Sequence, residues 1–137
     1  MSGPSEEQRS ALVAAARAVM ANAYAPASHF CVGAAVLAED GRVFVGCNVE
    51  NASYGLTVCA ERNAIGAAVA AGARRVVAVA IATSVQPPAR PCGACRQVLA
   101  EFGPDMLVLM VGAGDEIESE SLRALLPAPF TFTRPDA

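Results

Sequence analysis

Three cysteines and one glutamate carry the chemistry this sequence can do. In "RPCGACRQ", Arg90 to Gln97, Cys92 and Cys95 stand three positions apart behind Pro91; earlier in the chain Cys59 opens "CAERNAI", with Glu61 two places further on. A thiolate is both a nucleophile and a metal ligand, and the free N–H groups of a helix's first turn favour that anionic form. An i, i+3 pair shares one helix face. If each segment begins a helix, two helix N-termini present three thiolates and a carboxylate to one point. Taken alone, "PCGAC" suits a redox dithiol, half of a structural zinc clasp or half of a catalytic metal site.

Three cysteines suit Zn²⁺, which takes a tetrahedron of N and S ligands; a structural site closes with a fourth, whereas a catalytic site leaves that position to water. The other thiols, Cys31 and Cys47, fall inside β-prone runs. Either could complete a Cys₄ site, although single buried cysteines commonly serve as small hydrophobes. Zn²⁺ with three thiolates carries a formal charge of 2 − 3 = −1, so a water there ionises near neutrality only with cationic help. Arg62 and Arg96 adjoin Glu61 and Cys95, and a guanidinium donating to a ligand sulfur would supply it. His29 is the sole histidine, and with three cysteines in the set it is not needed as a ligand.

The elements that must position these groups follow from pattern. Ser5 with Gln8 three residues later forms a capping-box signature, and Leu12, Ala15, Ala16 and Val19 recur at helical spacing, predicting a helix from Glu6 to Ala23 that "YAPAS" breaks at Pro26. "HFCVGAAVLA" and "RVFVGCNVE" read as a hairpin around "EDG". Asn48 and Glu50, two apart in the second strand run, point from one face. "CAERNAIGAAVAAGA" predicts a helix ending at Gly72, "RVVAVAIATSV" a strand covered on both faces, and "CGACRQVLAEFG" a short helix closed by Gly103. "MLVLMVG" is a further buried strand, and "SESLRALLP" predicts a last helix capped by Ser119 or Ser121 before the tail "APFTFTRPDA". Strands alternating with helices imply an α/β sheet with helices on its faces.

Composition narrows the function. The chain has 137 residues, enough for one domain spanning 1–137 with one hydrophobic core. Hydrophobic residues make up 54 % but aromatics 5 %, so that core is built from Ala, Val, Leu and Ile. There is no Lys, which excludes a P-loop lysine or a lysine Schiff base; the net charge of −3, with no basic stripe, argues against nucleic acid as a partner. No run reaches the length of a membrane span and "MSGPSEEQRS" is not signal-like, so the expectation is a cytoplasmic protein with no membrane partner. Clustered cysteines in a reducing compartment point to metal rather than to a disulfide framework.

"CAE" followed some thirty residues later by "PCGAC" matches the three-cysteine form of the zinc nucleobase deaminase signature, in which the glutamate is a proton shuttle and not a ligand. With "GCNVENASYGLTVCAERNAI", "PCGACRQVLAEF", "FCVGAAV" and "ALLPAPF" all present, the chain resembles the homotetrameric, nucleoside-acting cytidine deaminase family from about Tyr24 to Phe130. The resemblance implies a three-layer α/β/α sandwich around a mixed five-stranded sheet, one strand more than the pattern itself supplies. It implies Zn²⁺ held by Cys59, Cys92 and Cys95, with Glu61 shuttling protons while a zinc-bound hydroxide attacks C4 of cytidine or deoxycytidine, giving uridine or deoxyuridine and ammonia for pyrimidine salvage. It further implies ribose binding by Asn48 and Glu50, stacking by Phe30, a backbone donor at Ala60, and Tyr54 and Phe130 reaching a neighbouring subunit's site in a homotetramer. Arg62 is the expected cation beside the metal. Ala27 departs from the family, which often has a tyrosine there.

Two other readings remain at this level. A deaminase of a cytosine nucleoside antibiotic, of the blasticidin S type, shares "CAE" and "PCGxC", but the intact "NVENASY" favours an ordinary nucleoside. A non-enzymatic zinc module would close its site with a fourth ligand from Cys31 or Cys47.

Overall fold

A computed structural model describes residues 3–132, so Met1, Ser2 and tail positions 133–137 lie outside the described residues, as do the two ends of the expected 1–137 domain. In chain order the elements are α1 (Glu6–Met20), β1 (Gly33–Ala38), β2 (Val43–Cys47), a 3₁₀ turn (Tyr54–Leu56), α2 (Ala60–Ala70), β3 (Val76–Ala82), α3 (Gly93–Phe102), β4 (Leu107–Val111), β5 (Ile117–Ser121) and α4 (Leu122–Leu125). The sheet runs β2-β1-β3-β4-β5. Its one parallel pair is β3 with β4, and the rest are antiparallel, so the sheet is mixed and five-stranded as expected.

Period-two alternation along the central strands divides the core between two faces. Ala35, Leu37, Ala78, Ala80, Ala82, Leu109 and Val111 pack against Leu12 and Ala16 of α1. On the opposite face Val36, Val79, Ile81, Val108 and Met110 pack against Ala60, Ala64, Ile65 and Ala68 of α2 and Leu99 of α3. The result is the three-layer sandwich, and the small side chains that dominate the composition let the helices lie close.

The capping box forms as its signature predicts: the Gln8 backbone N–H donates to Ser5 Oγ at 3.1 Å, and the Ser5 N–H donates to Gln8 Oε1 at 2.9 Å. Helix α1 stops at Met20, three residues before the expected Ala23, because the chain turns at Ala21 and Asn22 to reach the sheet. The segment predicted as a single last helix divides: its first three residues, 119–121, end strand β5 (Ile117–Ser121), and Ser121 caps only the four-residue α4 through its Oγ, which accepts from the Ala124 N–H at 3.1 Å. "IESES" pairs with β4 at the sheet edge and is largely exposed, so it has no apolar alternation to announce it.

Candidate active site

Two helix starts make the site. Cys59 is the N-cap of α2 and Cys92 the N-cap of α3, both in extended backbone, and Cys92 Sγ accepts a weak hydrogen bond from the Cys95 N–H at 3.4 Å. Gly46 sets the height of α2 on the sheet. A Cβ there would fall 2.4 Å from Ala64 N and 2.7 Å from Ala60 O, so only glycine lets the first turns of α2 lie directly on β2.

The sulfurs of Cys59, Cys92 and Cys95 lie within 4.8 Å of one another, and Cys59 Sγ is 3.9 Å from Cys92 Sγ. Tetrahedral zinc with Zn–S bonds of about 2.3 Å separates its sulfurs by about 3.8 Å, so the donor set fits the ion in both chemistry and spacing. Among the described residues neither Cys31 nor Cys47 joins this cluster, and the glutamate carboxylate stays outside it. That leaves a three-ligand set rather than a closed Cys₄ clasp.

The electrostatics separate the thiols. Cys95 is fully buried, and burial, the Glu61 charge and the neighbouring thiols push its pKa up. At Cys92 burial opposes ionisation, but the hydrogen bonds from Cys95 and Cys59 outweigh it and the pKa is lowered. Arg62 Nη2 lies 3.7 Å from Cys59 Sγ and donates to Thr57 O at 3.3 Å, and the contact with Cys59 holds its guanidinium more firmly charged. Arg62 thus stands where the charge arithmetic wants a cation. Arg96 does not: its Nε donates to Pro91 O at 2.8 Å and its Nη1 to Leu125 O at 2.9 Å. It braces the segment before Cys92 against α4 instead of touching a sulfur.

An open cleft of about 230 Å³ stands over the cluster, and Phe30, Asn48, Glu50, Ala60 and Glu61 all line it together with Cys59 and Cys92. Glu61, only 5 % exposed, has its pKa raised, chiefly by burial, which the Cys95 hydrogen bond and the Arg62 charge partly offset. The Ala60 backbone sits in the first turn of α2, where N–H groups have no partner within the helix. Tyr54 and Phe130 do not line this cleft, and both rings are exposed. The Phe130 backbone is held by Gln97, whose amide accepts from its N–H at 3.1 Å and donates to its O at 2.9 Å.

Asn48 and Glu50 also hold the loop that carries Phe30. Asn48 Oδ1 accepts from the Val32 N–H at 2.8 Å while its Nδ2 donates to Phe30 O at 2.7 Å. Glu50 Oε1 accepts from the N–H groups of Ala27 and Ser28 at 2.8 and 3.2 Å, and Oε2 accepts from the Ser28 hydroxyl. The Ser28 hydroxyl, then these backbone donors and the His29 charge, draw the Glu50 pKa below its usual value. His29 adopts a left-handed φ of 59° beside this knot and is not in the sulfur cluster.

The motifs do not point to three further polar residues that line the cleft: Ser28, Thr57 and Thr83. Thr57 Oγ1 accepts from the Asn51 N–H at 3.3 Å. Thr83 is 3 % exposed, and among the described residues its Oγ1 has no hydrogen-bond partner; leaving a buried hydroxyl unpaired costs about 1–3 kcal/mol. Its one sequence signal is that a polar residue ends an otherwise apolar strand run.

Comparison with known proteins bears directly on this arrangement. Residues 6–111 match the model of the cytidine and deoxycytidylate deaminase zinc-binding region. The chain belongs to that family. It is 45 % identical over 121 residues to the cytidine deaminase of Sporosarcina psychrophila, covering 88 % of this chain and 89 % of the relative. With the cytidine deaminase of Halalkalibacterium halodurans the identity is 50 % over 110 residues, covering 80 % and 83 %. Among solved structures, the cytidine deaminase of Burkholderia pseudomallei superposes with a TM-score of 0.85 at 48 % identity, covering 88 % of this chain and 98 % of that one. The fold is therefore that of a deaminase in this zinc-binding family, and Cys59, Cys92 and Cys95 form a possible metal site within it.

Proposed function

We propose that this chain hydrolyses cytidine and deoxycytidine to uridine and deoxyuridine with release of ammonia, using zinc. The observation that carries this reading is a three-sulfur cluster with a buried carboxylate standing free beside it in one cleft. Cys59, Cys92 and Cys95 would hold the zinc ion, which would supply the Lewis acidity that activates water.

The chain's own residues do the rest. Asn48 and Glu50 bind the sugar, with an ionised Glu50 accepting from its hydroxyls, and Phe30 lies against the pyrimidine. Glu61 takes a proton from the attacking water, delivers it to N3 and then protonates the departing amine. An O–C4 bond forms and the C4–N4 bond breaks, so one water and one cytidine become one uridine and one ammonia. Burial suits Glu61 to this task, since a carboxyl whose pKa is raised takes and returns a proton more evenly near neutral pH. Arg62 moderates the negative charge of the thiolates.

The chain works as a single cytoplasmic domain that assembles as a homotetramer. Support for self-association comes from the exposed large apolar side chains Tyr24, Val49, Tyr54, Leu56 and Phe130, a set that a soluble monomer seldom leaves uncovered. None of the described helices is long and apolar enough to cross a membrane.

Purified protein tested by metal analysis and by loss of cytidine absorbance decides the reading. Bound zinc with turnover of cytidine or deoxycytidine supports it. Fully metallated protein that turns over neither contradicts it, and turnover of a cytosine nucleoside antibiotic alone would redirect it.

A further inference from the structure

Arg90 stands two residues before Cys92 and lines the cleft beside Ala89, yet its guanidinium is engaged on the sheet. Nη2 donates to Glu118 Oε1 at 3.3 Å, and Nη1 lies 3.9 Å from Met110 Sδ. Met110 of β4 and Glu118 of β5 are directly opposed partners, so both side chains stand on the face that carries α2 and α3. One guanidinium thus spans the last strand pair of the sheet. Glu118 is the half-buried residue of an otherwise exposed strand.

The segment that Arg90 belongs to has few other anchors. Its start is fixed by backbone: the Thr83 N–H donates to Val111 O at 2.9 Å and the Ala113 N–H to Val85 O at 3.2 Å. A Cβ on Gly112 would fall 2.6 Å from Val85 O, so this end lies flush against the end of β4. From Gln86 to Pro91, among the described residues, no backbone group bonds to another backbone group. Pro87, Pro88 and Pro91 have no N–H to offer. Side chains hold this stretch instead. Gln86 Oε1 accepts from the Gly114 N–H at 3.5 Å, Arg96 Nε donates to Pro91 O at 2.8 Å, and Arg90 reaches Glu118. Only the last of these contacts is made by a residue that lines the cleft.

We propose that Glu118, outside the cleft, is a positioning residue: by holding Arg90 it fixes the wall formed by Ala89 and Arg90 in the shape that receives the substrate. The pair acts on binding rather than on the chemical step, because Arg96 still secures Pro91 ahead of Cys92. A wall left loose in the empty protein must be ordered when substrate enters, and that ordering weakens binding. This rests on the deaminase reading above.

The test measures KM and kcat for cytidine at low and high salt. Cytidine carries no charge at neutral pH, so salt acts on KM through the protein's own charges. Glu118→Gln should raise KM about two- to fivefold, the scale of a half-exposed ion pair, and change kcat by less than about twofold. Wild-type KM should climb toward that of the variant as NaCl rises to about 0.5 M, while the variant's KM stays flat. Adding Glu118→Gln to Arg90→Gln should change nothing further, since both remove one interaction. Glu120→Gln is the control: it makes the same charge change two residues along on the same face, at a side chain with no ion pair among the described residues, and its KM should hold. Unchanged KM in Glu118→Gln, an equal rise in Glu120→Gln, or a loss confined to kcat each overturns the proposal. Wild type inactive on cytidine defeats the deaminase reading and this one together, whereas active wild type with an indifferent Glu118→Gln defeats this one alone.

Discussion

Thirty-three residues apart in the chain, Cys59 and Cys92 bring their sulfurs to 3.9 Å because each is the N-cap of a helix lying on the same face of the sheet. The cluster therefore depends on two helix placements as much as on the cysteines.

Each cysteine should be needed for the metal. Cys92→Ala is expected to lower zinc affinity by at least about a hundredfold, since it removes one of three protein ligands. Metal analysis after dialysis against a weak chelator measures this; zinc retained at one per chain would place the ion elsewhere.

Gly46→Ala should destabilise the fold by about 1–3 kcal/mol, the range for forcing atoms into a packed interior. Its Cβ would meet backbone of α2 at 2.4 Å, which no side-chain rotation relieves. Because α2 carries Cys59 and Glu61, zinc binding should weaken in step with the melting temperature. A variant as stable as wild type would show that α2 is free to shift on β2.

The loop holding Phe30 should respond to acid. Glu50 has a folded pKa drawn below its usual 4.5, so its contribution to stability is present above pH 4.5 and is lost as pH falls through the lower folded value. Taken relative to the intrinsic exchange rate at each pH, the Ala27 and Ser28 amides should lose protection over that acid range, and Glu50→Gln should lower their protection at neutral pH and raise KM. Exchange that ignores both changes would free Glu50 from its loop role.

Removing the cation at the cluster should cost activity without unfolding the site. Arg62→Gln is expected to lower kcat/KM by about 10- to 100-fold, the scale seen when groups supporting a metal's ligands are lost, with Arg62→Lys between it and wild type. Unchanged rates for Arg62→Gln would place charge moderation elsewhere.

Much of this is legible in the sequence, for local reasons. Helix starts at Cys59 and Cys92 are written in nearby residues, and the buried runs of β3 and β4 have no polar residue to place on a solvent face. Strand β5 is hidden because edge pairing needs no apolar alternation, only a backbone to meet Leu107–Val111. The side-chain knot around Glu50 is hidden because it joins residues 22 and 23 positions apart through backbone donors, which leave no residue-type pattern. Arg96 misleads by adjacency: it follows Cys95 in sequence, but on the helix its side chain turns to Pro91 O and Leu125 O. Thr83 is visible only after strand alternation assigns it a face.

Glu61→Gln tests the central claim most directly, because it keeps the side chain's size while removing its capacity to carry a proton. Zinc content measured beside steady-state turnover of cytidine should show one zinc per chain retained and kcat reduced by about 10²–10⁴-fold, the range for losing a general acid–base group. Full zinc with cytidine turnover near that of wild type would contradict the account.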